Sequence, residues 1–251
     1  MSSSKPAIVI VPGAFHVPAH YSLLEEELAK AGYEVTVCDM PQTGHATPLN
    51  DLSEDVALVQ KEIKRYLDRD LNVVLAMHSM GGIIGTCACK GLLPEDQANN
   101  VSLAYICAFA LDEGVSLYSA GGNQHHPFIR VHGEPHTGTW MSGDNPPHDP
   151  RDVFYNDCTQ KQADDAFSKL KLSGEDLCHR PCRYAAWKDI ESNYLVCELD
   201  QAIPAAAQEF MSSQEGGRWT RVERLHAGHS PFMSKPEETA LFVRKCAGEG
   251  L

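Results

Sequence analysis

The sequence predicts an α/β architecture: a mostly parallel, six-stranded sheet with helices on both faces, interrupted once by an inserted segment. Three observations carry this. Short apolar runs rich in β-branched residues alternate with stretches of helical periodicity. One such run ends at the hexapeptide MHSMGG, which sets Ser79 on a sharp turn between a buried strand and a helix. Between residues 112 and 185 the alternation lapses into chain rich in Gly, Pro, His and Asn.

In order, residues 7–11 form the first strand, closed by Pro12 and Gly13. Tyr21, Leu24, Leu28 and Ala31 then recur at helical spacing, with Gly32 as the stop. Residues 34–38 make a second strand. Leu52, Val56, Val59, Ile63 and Tyr66 line one face of a second helix. Ser53 caps it, Glu54 and Asp55 sit at its start and Lys64 and Arg65 at its end, as the helix dipole favours. The run at 72–76 has the length of a fully buried parallel strand, and residues 81–92 read as a helix of small and apolar residues. A strand over 101–108 follows. Within the interruption the clear helical stretch is 161–170, and residues 154–157 are expected to anchor the segment to the core. The alternation resumes with a strand at 194–197, a helix at 204–211, a strand at 220–225 and a last helix at 235–246. Successive βαβ units imply a parallel sheet. The core is therefore expected over 1–111 and 186–251, with 112–185 as a lid, because an insertion between strands of an open sheet lies at the ligand-binding edge.

Composition narrows the function. A chain of 251 residues can bury a large core, and 34 acidic against 21 basic residues, without a basic run, argue against nucleic acid or an anionic membrane as partner. No apolar leader precedes the first strand, so a cytoplasmic protein is expected. Nine cysteines, several inside strand-like runs such as Cys38, Cys107 and Cys197, read as reduced core residues.

A serine hydroxyl needs a base, and the base an orienting acid. His229 follows the last strand in HAGHSP, and Asp200 follows the strand before it in CELDQAIP, so both emerge at the sheet edge that carries Ser79. His226 is the rival base and Glu198 the rival acid. Asp200 is preferred because Glu198 still reads as strand, and His229 because Gly228 frees the turn before it. The turn VPGAFH closes the first strand beside Ser79, where the amides of Ala14 and Met80 would converge on one developing negative charge. Gly13, Phe15, His16 and His78 are expected around the substrate.

These pieces resemble the α/β-hydrolase superfamily, in its methylesterase and hydroxynitrile-lyase-like branch: VPGAFH, CDMPQTGH after the second strand, HSMGG, DQAIP and GHSPFMSKP, together spanning residues 7–245. The resemblance implies an α/β-hydrolase fold and a triad of Ser79, Asp200 and His229, with Ala14 and Met80 as oxyanion donors and no metal or cofactor. Met77 departs from the G-x-S-x-G elbow by placing a bulkier residue beneath the serine. Cyanohydrin-cleaving members resemble the chain in their triad, but typically carry threonine where Gly13 stands and lysine where Ser230 stands; both differences favour hydrolysis. The expected activity is hydrolysis of a small-molecule ester, thioester or lactone, of the kind met in secondary metabolism. The alternative is a non-hydrolytic lyase, cyclase or dehydratase acting on a polyketide-like molecule.

His125, His126, His132 and His136, with Asp144 or His148, cluster in the interruption, as do Cys178, His179 and Cys182 farther on. The histidine spacing matches no compact ligand pattern on one helix, and neither Cys178 with Cys182 nor Cys87 with Cys89 has a second matching pair, so no metal is expected. Trp140, Met141 and Phe128 offer an apolar patch for a possible homodimer.

Overall fold

A computed structural model describes residues 5–49, 51–92, 100–133 and 139–250. The first half runs β1 (Ala7–Val11), a 3-10 turn (Pro18–Tyr21), α1 (Ser22–Lys30), β2 (Val35–Val37), α2 (Ser53–Leu67), β3 (Val73–His78), α3 (Gly81–Ala88) and β4 (Val101–Ile106). An inserted segment follows, with α4 (Leu117–Ala120), β5 (Arg130–His132), β6 (Trp140–Ser142), α5 (Pro150–Phe154), α6 (Gln160–Lys169) and β7 (Ser173–Gly174). Two 3-10 turns (Glu175–His179 and Ala186–Lys188) lead back to β8 (Ser192–Cys197), α7 (Ala205–Met211), β9 (Trp219–Leu225), α8 (Pro231–Ser234) and α9 (Pro236–Cys246).

The main sheet has the order β2-β1-β3-β4-β8-β9, and every pairing in it is parallel. β1 and β3 are buried along their whole length, as strands covered by helices on both sides must be. From β1 the chain steps outward to β2 through α1, then returns across β1 to β3 through α2. Right-handed crossovers in opposite directions put α1 and α2 on opposite faces. α1 packs with α9, and α2 with α3, giving one helical layer on each side. The order reverses between β1 and β3, so the turns after Val11 and His78 open side by side at the carboxyl edge.

β4 and α3 end at least two residues earlier than their sequence suggests. β4 stops at Ile106 because Cys107 adopts φ 36, and α3 stops at Ala88. Among the described residues, no helix is long and apolar enough to cross a membrane.

The inserted segment holds more structure than its composition suggests. α6 matches the expected helix and is capped by Thr159, whose side chain accepts from the Gln162 amide. β5, β6 and β7 form a separate antiparallel sheet of two- and three-residue strands. Strands that short carry no readable alternation. Residues 154–157 do tie the segment to the core: the Tyr155 hydroxyl meets His16 Nε2 at 3.0 Å, and Asn156 Nδ2 donates to the Leu199 carbonyl at 2.9 Å. Phe128 and Met141, expected in an apolar contact patch, are instead buried; both face an internal cavity.

Candidate active site

Ser79 follows β3 at φ 53, in the left-handed region that residues with a side chain avoid at a cost of about 1–3 kcal/mol. Its carbonyl accepts from the Phe109 amide at 3.0 Å and from the Gly82 amide at 3.1 Å, so the exit of β4 and the first turn of α3 pin the strained residue. Met77, the departure beneath the elbow, is fully buried, and a Cβ built on Gly85 would lie 2.4 Å from its sulfur. α3 thus makes room for the methionine with a glycine, and the serine keeps its left-handed geometry.

The rival bases and acids sort themselves into two pairs. His229 Nδ1 donates to Asp200 Oδ2 at 2.8 Å, with side chains 2% and 0% exposed. His226 Nδ1 meets Glu198 Oε2 at 3.3 Å on the surface, where the histidine side chain is 77% exposed. β8 ends at Cys197, so Glu198 lies past the strand, yet it turns outward.

Asp200 is held on all sides. Oδ1 accepts from the amides of Ala202 (2.7 Å) and Ile203 (2.9 Å), and Oδ2 accepts from Gln208 Nε2 (3.0 Å) as well as from His229. Because a carboxylate only accepts, His229 carries its proton on Nδ1 and keeps a lone pair on Nε2. The carbonyl of His229 accepts from His78 Nε2 at 2.9 Å and from the Cys107 thiol at 3.3 Å, which fixes the loop. Gly228 serves this loop differently from the expectation: its φ is not left-handed, but a Cβ there would lie 2.1 Å from Asn156 Oδ1. The glycine accommodates the close approach of the Asn156 side chain and supplies no left-handed turn.

The turn after β1 lies against the elbow. A Cβ on Gly13 would come within 2.8 Å of Ser79 Cβ and 3.0 Å of His78 Nδ1. The Gly13 amide donates to the Tyr21 hydroxyl (3.1 Å) and the Phe15 amide to Ser173 Oγ (3.1 Å), with Phe15 at φ 70. Among the described residues, the Ala14 and Met80 amides have no protein acceptor, and both residues line one cavity with Ser79 and His229. Both amides are therefore free to donate to a group bound in that cavity.

Of the residues expected around substrate, Phe15 and His16 line this cavity, whereas Gly13 and His78 do not. His78 sits below the site: Nε2 donates to the His229 carbonyl, so Nδ1 must accept from the Tyr21 hydroxyl at 2.8 Å. By the same logic His16 donates from Nδ1 to the Ala14 carbonyl (2.8 Å) and accepts from Tyr155 at Nε2. Sequence reasoning missed the buried polar partners Tyr21, Tyr155, Cys107 and Gln208. Of these, Gln208 has a signal, being a lone amide among the small residues that begin α7.

Burial, reinforced by neighbouring histidines, holds His16 and His78 well below the ordinary histidine range. The unfolded chain takes up these protons below about pH 6.5 while the native state refuses them. The stability these groups contribute is therefore present above that pH and lost below it, by about 1.4 kcal/mol per pH unit for each histidine. Urea unfolding between pH 7 and 5 should show this slope, and His78→Gln should make it shallower. A flat profile would contradict the assigned neutral tautomers.

The cavity is narrow, with only about 30 Å³ open to the centre of a water molecule. Phe109 and Ile203 from the core and Leu117, Phe128, Met141 and Phe154 from the inserted segment make it largely apolar; His126, also from that segment, adds a polar group. This inserted wall is the part of the site that sequence motifs did not reveal.

A buried acid–imidazole pair beside a left-handed serine, at the switch point of a parallel sheet, defines a hydrolase-type site on an α/β scaffold. The sequence profile of the Alpha/beta hydrolase family matches residues 8–240. Along 98% of both chains, the sequence is 36% identical to the "Alpha/beta hydrolase nvfD" of Aspergillus novofumigatus. The fold superposes on polyneuridine aldehyde esterase with a TM-score of 0.78 at 18% identity, covering 96% of this chain and 99% of that one. It also superposes on the methylesterase MES16 from Arabidopsis with a TM-score of 0.72 at 18% identity, covering 97% and 99%. The chain belongs to the alpha/beta hydrolase family.

Proposed function

We propose that the protein is a serine hydrolase that cleaves a small-molecule ester, thioester or lactone through an acyl-enzyme. The observation that carries this reading is the buried Asp200–His229 pair, whose imidazole lines the same cavity as Ser79. Ser79 Oγ attacks the carbonyl carbon while His229 Nε2 takes its proton, and Asp200 stabilises the imidazolium. The carbonyl oxygen, now an anion, is received by the Ala14 and Met80 amides. His229 returns the proton to the leaving alcohol or thiol. Water, deprotonated by the same imidazole, then releases the acid. The apolar wall favours a substrate with a hydrocarbon body around the reacting carbonyl. Polyneuridine aldehyde esterase and the methylesterase MES16 are esterases by name on the same fold, which supports the ester class.

The test is turnover of aryl esters of graded acyl length, together with a fluorophosphonate probe. Ester turnover and a label on Ser79 are expected. Cyanide release from mandelonitrile without ester turnover would overturn the hydrolytic reading in favour of a lyase.

Asp200→Asn tests the acid's role. The Ala202 and Ile203 amides demand an acceptor at Oδ1, so the new amide must turn its NH₂ toward His229. That donor opposes the Nδ1 proton and forces it to Nε2, where the imidazole is no longer a base. A fall in kcat of about 10³–10⁴-fold with nearly unchanged KM is expected. Steady-state kinetics above about a tenth of the parent rate would refute the assignment.

A further inference from the structure

Two parts of the inserted segment that lie far apart in sequence meet beside the cavity. His125 comes from the loop after α4, while Glu175, Cys178 and His179 come from one 3-10 turn. One ligand atom from each of the four lies within 4.8 Å of all the others. His179 Nε2 is 2.6 Å and His125 Nε2 3.0 Å from the same oxygen, Glu175 Oε1, and Cys178 Sγ is 3.7 Å from His125 Nδ1. Bonds of about 2.0–2.3 Å to a tetrahedral zinc place neighbouring ligand atoms about 3.3–3.6 Å apart, so closing on an ion requires His125, whose two nitrogens face Glu175 and Cys178, to present one of them, and the Cys178 thiol to leave the Glu175 carbonyl, to which it donates at 2.9 Å.

The surroundings fit such an ion. Tyr118 packs against both imidazoles, with ring centroids 5.2 Å from His125 and 4.2 Å from His179. The Thr139 hydroxyl donates to Glu175 Oε2 at 2.9 Å, leaving Oε1 to face the cluster, as the outer partner of a ligating carboxylate does. A thiolate and a carboxylate together neutralise a divalent cation, and the two imidazoles bind neutral. Among the described residues, a second group of possible ligands, His78, Cys107 and His229, is already satisfied by hydrogen bonds in the candidate active site.

We infer that His125, Glu175, Cys178 and His179 form a structural zinc site that staples the loop after α4 to the 3-10 turn at 175–179. Four protein ligands leave no open position, which makes the site structural rather than catalytic. Binding displaces the Cys178 thiol proton to solvent, and no electron is transferred. The staple acts on the pocket because Leu117, at the start of α4, and His126, next to a ligand, both line the cavity.

The test uses the full chain, stripped with a chelator and reloaded with Zn²⁺, or with Co²⁺ as a spectroscopic probe. One tightly bound zinc per chain is expected. The cobalt form should show a thiolate charge-transfer band and the strong visible bands of tetrahedral cobalt. Cys178→Ser should remove the charge-transfer band, while Cys107→Ser should retain it. Zinc should raise the Tm of the stripped protein by at least about 3 °C. The paired variant His125→Gln/His179→Gln, altered only at partly exposed side chains, should lose both zinc and the Tm shift. Absence of stoichiometric zinc from the parent, a thiolate band that survives Cys178→Ser, or full zinc retention in the paired variant would each overturn the site. None of these readouts depends on turnover, so they stand apart from the hydrolytic reading.

Discussion

Ser79→Ala is expected to lower kcat by at least about 10⁴-fold while leaving the fold and its Tm unchanged. The hydroxyl supplies the bond-forming atom, and alanine at φ 53 meets the same backbone strain as serine does. Ser79→Gly separates the two effects further. It removes the nucleophile and also relieves the left-handed strain, so turnover should vanish while stability rises by about 1 kcal/mol. A position where the inactive variant is the more stable one is held by function rather than packing. Steady-state ester kinetics with thermal unfolding on both variants checks this. Residual turnover near the parent level in Ser79→Ala would end the covalent mechanism.

Much of this scaffold is legible because its strands are buried on both faces. β1, β3 as far as Met77 and β4 from Leu103 onward read as unbroken apolar runs, and the turns after β1 and β3 carry glycine. Ser79 and Asp200 are legible as candidates for the same reason, since each lies past the carboxyl end of a fully buried strand; His229 follows β9, a half-exposed edge strand, and reaches the same edge because β9 runs parallel to β8. Direction within that edge was less legible. His78 precedes the serine, yet the turn sends its side chain down to Tyr21 and the His229 carbonyl instead of into the cavity. Gly13 is similar, a spacer against Ser79 rather than a contact for substrate.

The inserted segment resisted reading for a different physical reason. β5 to β7 pair over two or three residues each, and β6 meets β7 across about thirty residues of chain, so no local period marks them. Its cavity-lining residues are ordinary apolar side chains whose role depends on long-range packing. The histidine cluster shows the same limit. His125 and His179 have no helical spacing between them, and only the fold brings both to Glu175. Of the four histidines of the inserted segment singled out in the sequence, His126 faces the cavity, His125 faces Glu175, His132 bonds Ser142 Oγ at 2.7 Å, and His136 lies outside the described residues.

His229→Ala should lower kcat by at least about 10⁴-fold, whereas His226→Ala should change it less than about twofold. The two histidines are three residues apart and each faces a carboxylate, so sequence alone leaves them as rivals. Their surroundings differ in kind. Water screens the exposed His226–Glu198 pair, and such a pair contributes little to anything. His229 is buried with a carboxylate that has three further donors of its own, so Asp200 stays in place when the imidazole is removed. The site therefore loses its base without losing its frame, and the defect should appear in kcat. Stability should fall by about 1–3 kcal/mol, because Asp200 loses one charge-assisted donor and a ring-sized space opens beneath Phe154. Added imidazole should restore part of the rate by entering that space, which a general collapse of the site would not permit. A larger loss in His226→Ala than in His229→Ala would mean that the loop after β9 presents the other histidine, and would move the candidate triad to the surface pair.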